Sequence, residues 1–200
     1  MLSIQAVRIK MDPRFRGDDD LFWGLPRDIN IYMWTNVAMT GVVQTKIVVR
    51  PARAQDADDI ARFNLAMALE TEGKALDPAT LRAGVDAVFA DSRHGFYLVA
   101  EVDGANVGCL MITYEWSDWR NGQWWWLQSV YVPEEFRRRG IFRALHAEAE
   151  RRARATAGVI GLRLYVEREN VNAQSTYARL GMHDSGYRLY EREFADDAKG

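Results

Sequence analysis

Three guanidinium side chains, Arg137, Arg138 and Arg139, stand directly before Gly140 in the run QSVYVPEEFRRRGIFRAL at residues 128–145. Val130 and Val132 continue an apolar, β-branched run out of residues 124–127, so the chain arrives extended. Pro133 ends the ladder because it has no N–H to donate. From Ile141 the apolar spacing becomes helical, with Ile141, Leu145, Ala149 and Ala153 on one stripe. A strand feeding a helix through such a loop aims several unpaired backbone N–H groups at one point, the positive end of the helix dipole. The chemistry on offer is anion binding, of a phosphate or pyrophosphate. A solvated basic turn is the plainer reading, but it gives no reason for the glycine and helix start that follow. Arg151, Arg152 and Arg154, by contrast, sit where cations complement a helix C-terminus, and they are read as structural.

Other reactive residue types are sparse. Cys109 is the single cysteine, so no internal disulfide forms and a reducing, cytoplasmic setting is expected. It lies mid-strand with no histidine near it in sequence, which argues against a covalent route. His94, His146 and His183 are far apart, no zinc-type spacing exists, and no metal is expected. His146 reads as a helix-surface residue. A net charge of −2 gives no general drive toward nucleic acid or an anionic membrane, and neither is expected as a partner.

The elements that must position the loop follow from periodicity. The 200 residues suit one domain with a substantial core. Residues 1–44 lack a clear period, and DPRFRGDD within them resembles a peptide produced when dispersed repeat DNA of proteobacterial genomes is translated. They are expected to be disordered or an over-extended start, with Met39 as the alternative initiator; a real arm anchored by Trp23 and Trp34 is the competing reading. The domain proper is expected over residues 45–194, followed by a tail at 195–200. Strands are expected at 46–50, 96–102, 107–115, 123–132, 160–166 and 185–194, with Asp103-Gly104 as a hairpin turn. Helices are expected from Asp56 to Glu72, after the Asp77-Pro78 start, from Gly140 to about Ala157, and over 172–180. The order β-α-α-β-β-β-α-β-α-β gives an α/β (α+β) fold, a mixed and mostly antiparallel central sheet flanked by helices on both faces.

With this order in place, the chain resembles the GNAT superfamily of acyl-CoA-dependent N-acyltransferases over residues 45–194. The family's pyrophosphate pattern, Gln or Arg, two residues, Gly, one residue, then Gly or Ala, is met by Arg137 and Gly140, whereas Phe142 replaces the small last residue. A second stretch, NVNAQSTYARLGM at 170–182, fills the family's Asn, Ala, Tyr and Gly positions with Asn170, Ala173, Tyr177 and Gly181. The resemblance implies acetyl-CoA as co-substrate. Its pyrophosphate would take the N–H groups of Arg138, Arg139, Gly140, Ile141, Phe142 and Arg143, with side-chain charge from Arg137 and Arg138. Its pantetheine would lie along Val130, Tyr131 and Val132 like an added strand. Val130 N–H is the implied oxyanion donor, and Tyr177 is the implied acid for the leaving thiolate. Asn170 and Ala173 complete the implied cofactor-binding set.

The implied function is N-acetyl transfer to a primary amine of a small molecule or peptide, by direct attack in a ternary complex. A non-catalytic acyl-CoA-binding module is the alternative. The general base is open among Glu115 and Asp118 beside the 116–122 loop and Glu70 and Glu72 at the end of the first helix. Trp116 and Trp119 are candidate substrate walls. Trp124, Trp125 and Trp126 are read as core and strand-face residues. The expected assembly is a monomer or homodimer.

Overall fold

The computed structural model describes residues 46–192. The first 45 residues and the tail, with the expectations placed on them, lie outside the described part. Five strands form one sheet in the order β1 (Ile47–Pro51), β2 (Phe96–Val102), β3 (Ala105–Ser117), β4 (Gly122–Tyr131) and β5 (Val159–Arg163). Every pairing is antiparallel except β4 with β5. The parallel pair is joined by a crossover through α3 (Ile141–Ala155), as such a pair requires. Helices α1 (Ala57–Glu72) and α2 (Pro78–Ala90) precede β2, and α4 (Val171–Arg179) follows β5. Among the described residues, no helix is long and apolar enough to cross a membrane.

The sheet has a core on each face. On one face Ile141, Leu145, Ala149 and Ala153 of α3 pack against Leu98, Leu110, Ile112, Trp125 and Leu127. On the other, Ile60 and Phe63 of α1 and Val85 and Val88 of α2 pack against Tyr97, Val99 and Cys109. The strand periodicity of two sorts these residues, since Val99 and Cys109 face one core and Leu98 and Leu110 the other. The helix signals hold as expected: Asp77 accepts from Thr80 N–H at 2.7 Å with Pro78 at the first helical position, and Gly73 ends α1 in the left-handed conformation.

Three sequence expectations are corrected. The last strand, expected at 185–194, is absent over 185–192, where the residues are exposed and irregular. Alternation supplies two faces but not a ladder partner, and among the described residues none of this stretch enters the sheet. The strand expected at 160–166 stops at Arg163, because β4 and β5 part after the Trp126–Arg163 pair. His146 is buried, not on a helix surface, because α3 buries a wider stripe that takes in the position after Leu145.

Candidate active site

Strand β4 carries a β-bulge where the site was expected. Cys109 opposes Tyr131 and Met111 opposes Gln128, so two steps on β3 span three on β4. Ser129 takes up the extra residue with φ of 47°, a left-handed conformation uncommon for a residue with a Cβ. Ser129 and Val130 therefore have no partner in the β3 register, and β5 has already diverged. The Cys109 thiol donates weakly to the Ser129 carbonyl at 3.5 Å. Burial pushes that thiol up to about 12, so Cys109 is an inert core residue at neutral pH.

Beyond β4 the loop folds tightly into α3. Arg138 and Gly140 both have positive φ, 64° and 78°. No side chain caps α3, and its first turn holds no acidic residue. Its first backbone bond runs from Ala144 N–H to the Gly140 carbonyl at 2.9 Å, so the N–H groups of Ile141, Phe142 and Arg143 project from the helix end. Arg138, Arg139 and Arg143 are exposed beside them.

Arg137 is placed differently from the expectation. Its Nε donates to the Val132 carbonyl at 2.8 Å, and its Nη2 to Glu70 Oε2 at 2.6 Å. Its guanidinium lies 5.7 Å from the Tyr131 ring centroid, and the Tyr131 hydroxyl donates to Glu70 at 3.4 Å. Arg137 thus ties the end of α1 to the end of β4, and it engages the Val132 carbonyl in the stretch along which pantetheine is expected to lie. The Glu70 carboxylate raises the pKa of Arg137, and burial with the Glu70 charge raises that of the Tyr131 phenol.

Tyr177 projects from α4 into the seam with α3. It is 4% exposed, and its hydroxyl is buried with no hydrogen-bond partner among the described residues. Burial pushes the phenol well above its ordinary range, so it stays protonated. Phe142 lies edge-on to both Tyr177 and His146, with centroids 6.0 and 6.1 Å apart. The residue that departs from the family's small position therefore has its ring in the α3–α4 seam. His146 Nε2 is also buried without a partner among the described residues, and burial lowers its pKa, so the imidazole is neutral at pH 7. Asn170 caps α4, its Oδ1 accepting from Ala173 N–H at 3.0 Å.

The carboxylates expected as bases separate into distinct settings. Glu115 has both oxygens engaged, by Arg163 Nη1 at 2.5 Å and by Trp126 Nε1 at 2.6 Å. Glu72 pairs with Lys74 at 2.8 Å, and Asp118 Oδ1 accepts from Trp119 N–H in the β3–β4 turn. Trp116 and Trp119 are exposed there, 61% and 88%. The structure groups Glu70 with Tyr131 and Arg137, and Phe142 with Tyr177; it leaves Trp116, Asp118 and Trp119 at the far end of the β3–β4 hairpin. Arg163 and Tyr165 escaped the sequence reading because they looked like the outward half of an alternating strand. A cavity of about 460 Å³ lies at the opposite end of α3, lined by Phe96, Trp125, Arg151 and Arg152 among others, and holds none of the expected site residues.

This arrangement has counterparts among known proteins. Residues 64–182 match the model of the acetyltransferase (GNAT) family. A possible acetyltransferase from Clostridium difficile 630 is 48% identical, with a TM-score of 0.70 over 74% of this chain and 97% of that one. At 18% identity, the ribosomal-protein-alanine N-acetyltransferase from Brucella melitensis biovar Abortus 2308 shares the fold, with a TM-score of 0.60 over 74% of this chain and 100% of that one. The aminoglycoside N-acetyltransferase AAC(6')-Iy, solved in complex with CoA, shares it at 16% identity and a TM-score of 0.60, over 74% and 95%. No curated protein sequence matches the chain. The family match spans more than half of the sequence, and the 48% identical structure and the mixed sheet flanked by helices agree with it: the chain belongs to the GNAT acetyltransferase family and is an acyltransferase.

Proposed function

We propose that the chain transfers an acetyl group from acetyl-CoA to a primary amine by direct attack in a ternary complex. The observation that carries this reading is the buried, protonated Tyr177 hydroxyl, without a partner among the described residues, whose ring meets Phe142 at the uncapped start of α3. A buried hydroxyl without a partner is costly, and a ligand that accepts its hydrogen bond removes the cost. The α3 start suits a pyrophosphate, because three projecting N–H groups and the exposed Arg138, Arg139 and Arg143 give charge and donors without an acidic neighbour in the first turn. Arg137 acts indirectly in this reading, by fixing the Val132 end of the strand. The AAC(6')-Iy relative in complex with CoA gives the choice of co-substrate its outside support.

The residues then divide the work. Val130 N–H, free of the β3 register, donates to the thioester oxygen as negative charge develops there. The new C–N bond forms as the C–S bond breaks, and Tyr177 gives its proton to the departing sulfur. The amine loses its proton through water. Glu70 lies on the α1 side of β4 and is the nearest of the expected carboxylates to Tyr131, whereas Glu115 is held by two donors. The test is release of coenzyme A from acetyl-CoA by the purified protein across small amines, polyamines, aminoglycosides and peptides. Turnover with at least one class is expected, and thiol release at background with all of them overturns the proposal.

A further inference from the structure

The cavity at the C-terminal end of α3 lies a helix length away from the helix start at which the pyrophosphate is placed. Fifteen residues at a rise of about 1.5 Å put the two ends of α3 roughly 22 Å apart. The cavity has a volume of about 460 Å³, in the range of sites that hold small molecules. Pro51, Phe96 and Trp125 form its apolar wall, and the Phe96 ring meets the Trp125 ring edge-on at 5.3 Å. Arg151, Arg152 and Thr156 form the polar wall.

That wall offers donors and leaves them short of acceptors. Arg151 Nε and Nη2 reach the two oxygens of Glu148 at 2.7 and 2.8 Å, and Arg152 Nε shares one of those oxygens at 2.7 Å. One carboxylate therefore answers two guanidinium groups, and one positive charge remains. Among the described residues the two Nη groups of Arg152 have no acceptor. The Trp125 side chain is 5% exposed, and its buried indole N–H also lacks an acceptor among the described residues. Buried donors of this kind call for an acceptor. Complementing the helix dipole does not account for the two arginines, because both turn back to Glu148. Thr156 meets the last carbonyls instead, its hydroxyl donating to the Arg152 carbonyl at 2.9 Å and its N–H to that of Ala153 at 3.2 Å. With those carbonyls engaged, the helix end opposes an anion less.

We propose that this cavity binds an aromatic carboxylate, its flat ring against Phe96 and Trp125 and its carboxylate on the free Nη groups of Arg152. The site is separate from the acetyl-CoA groove proposed above and does not depend on acetyl transfer. Calorimetric titration of the full chain with 2-naphthoate tests it. One control is 2-naphthalenemethanol, which keeps the ring and removes the charge; the other is acetate, which keeps the charge and removes the ring. Naphthoate is expected to bind with a Kd below about 1 mM, at least roughly tenfold more tightly than either control. Arg152→Gln should weaken naphthoate by roughly tenfold and leave the alcohol unchanged. A second readout on the parent chain holds whether or not Arg152→Gln folds. It is the indole N–H resonance of Trp125 in the NMR spectrum, assigned by its loss in Trp125→Phe, and it should shift as naphthoate is added. No binding at millimolar naphthoate, equal affinity for the acid and the alcohol, unchanged affinity in Arg152→Gln, or a Trp125 resonance that stays in place at saturation overturns the inference. So does loss of naphthoate binding when coenzyme A is added, because that places the probe at the start of α3.

Discussion

Tyr177 and Arg137 occupy the two positions at which motif and geometry can be compared atom by atom. Tyr177 is a phenol kept protonated by burial, with no partner among the described residues, so on the transfer reading it carries a proton and has no other bond to lose. Tyr177→Phe removes only the oxygen from a packed ring, so its edge contact with Phe142 persists. Turnover should fall by roughly a hundredfold while the KM for acetyl-CoA changes little. Steady-state coenzyme A release checks it, and unchanged turnover removes Tyr177 as the acid. Arg137 departs from its motif. Its partner Glu70 lies 67 positions upstream, and no spacing rule links a residue at the end of one helix to a loop that follows the fourth strand. His146 shows the same limit: the apolar stripe of α3 was legible at Ile141, Leu145, Ala149 and Ala153, but the width of the buried stripe depends on what packs across it.

At the scale of elements, strand and helix order was legible because periodicities of 2 and 3.6 and turn chemistry are local. Asp103 and Gly104, with φ of 52° and 80°, make the hairpin turn their types announce. The bulge at Ser129 was not legible, since it arises from the mismatch between two strands, and serine is not a residue that advertises a positive φ. That conformation costs a residue with a Cβ about 1 kcal/mol or more relative to glycine. Ser129→Gly should therefore raise stability to urea, by up to about 1 kcal/mol, with activity retained. Ser129→Val should lower stability by about 1–2 kcal/mol, and lower turnover as well, because a β-branched residue is disfavoured there and Val130 follows directly. Equal stability of the two variants would show that the bulge does not depend on this conformation. The divergence of β4 from β5 after Trp126 belongs to the same class of feature: the alternation through Val166 promised a longer strand, and only the partner's path shortens it.

The whole molecule is held at its open edge by a polar network, not by the apolar cores alone. Asp56, 4% exposed at the entry to α1, accepts four bonds: two from Arg50 at 2.7 and 2.9 Å, one from Arg53 N–H at 2.7 Å and one from Asn106 at 3.1 Å. Arg50 also reaches Glu101 at 2.6 Å, and Asn106 reaches Asp59 at 2.8 Å, so β1, β2, β3 and α1 meet at one carboxylate. The Arg50 guanidinium, with the Arg53 N–H and Asn106, holds Asp56 far below the usual carboxylate range against the opposing effect of burial. A carboxyl whose folded pKa is depressed contributes stability that is fully present above its unfolded value, near about 3.9, and is lost as the pH falls from there toward the folded value. Asp56→Asn removes the charge while keeping the shape, and leaves Glu101 as the remaining carboxylate on Arg50 among the described residues. At pH 7 it should cost about 3 kcal/mol, as expected when one partner of a largely buried ion pair is removed. At pH 3 the difference from the parent chain should be smaller, because there the unfolded chain binds a proton at Asp56 that the folded chain still excludes, which lowers the parent's stability. Urea denaturation at the two pH values measures this directly. An Asp56→Asn penalty of equal size at both would mean that the carboxylate's charge is not what joins the first helix to the sheet.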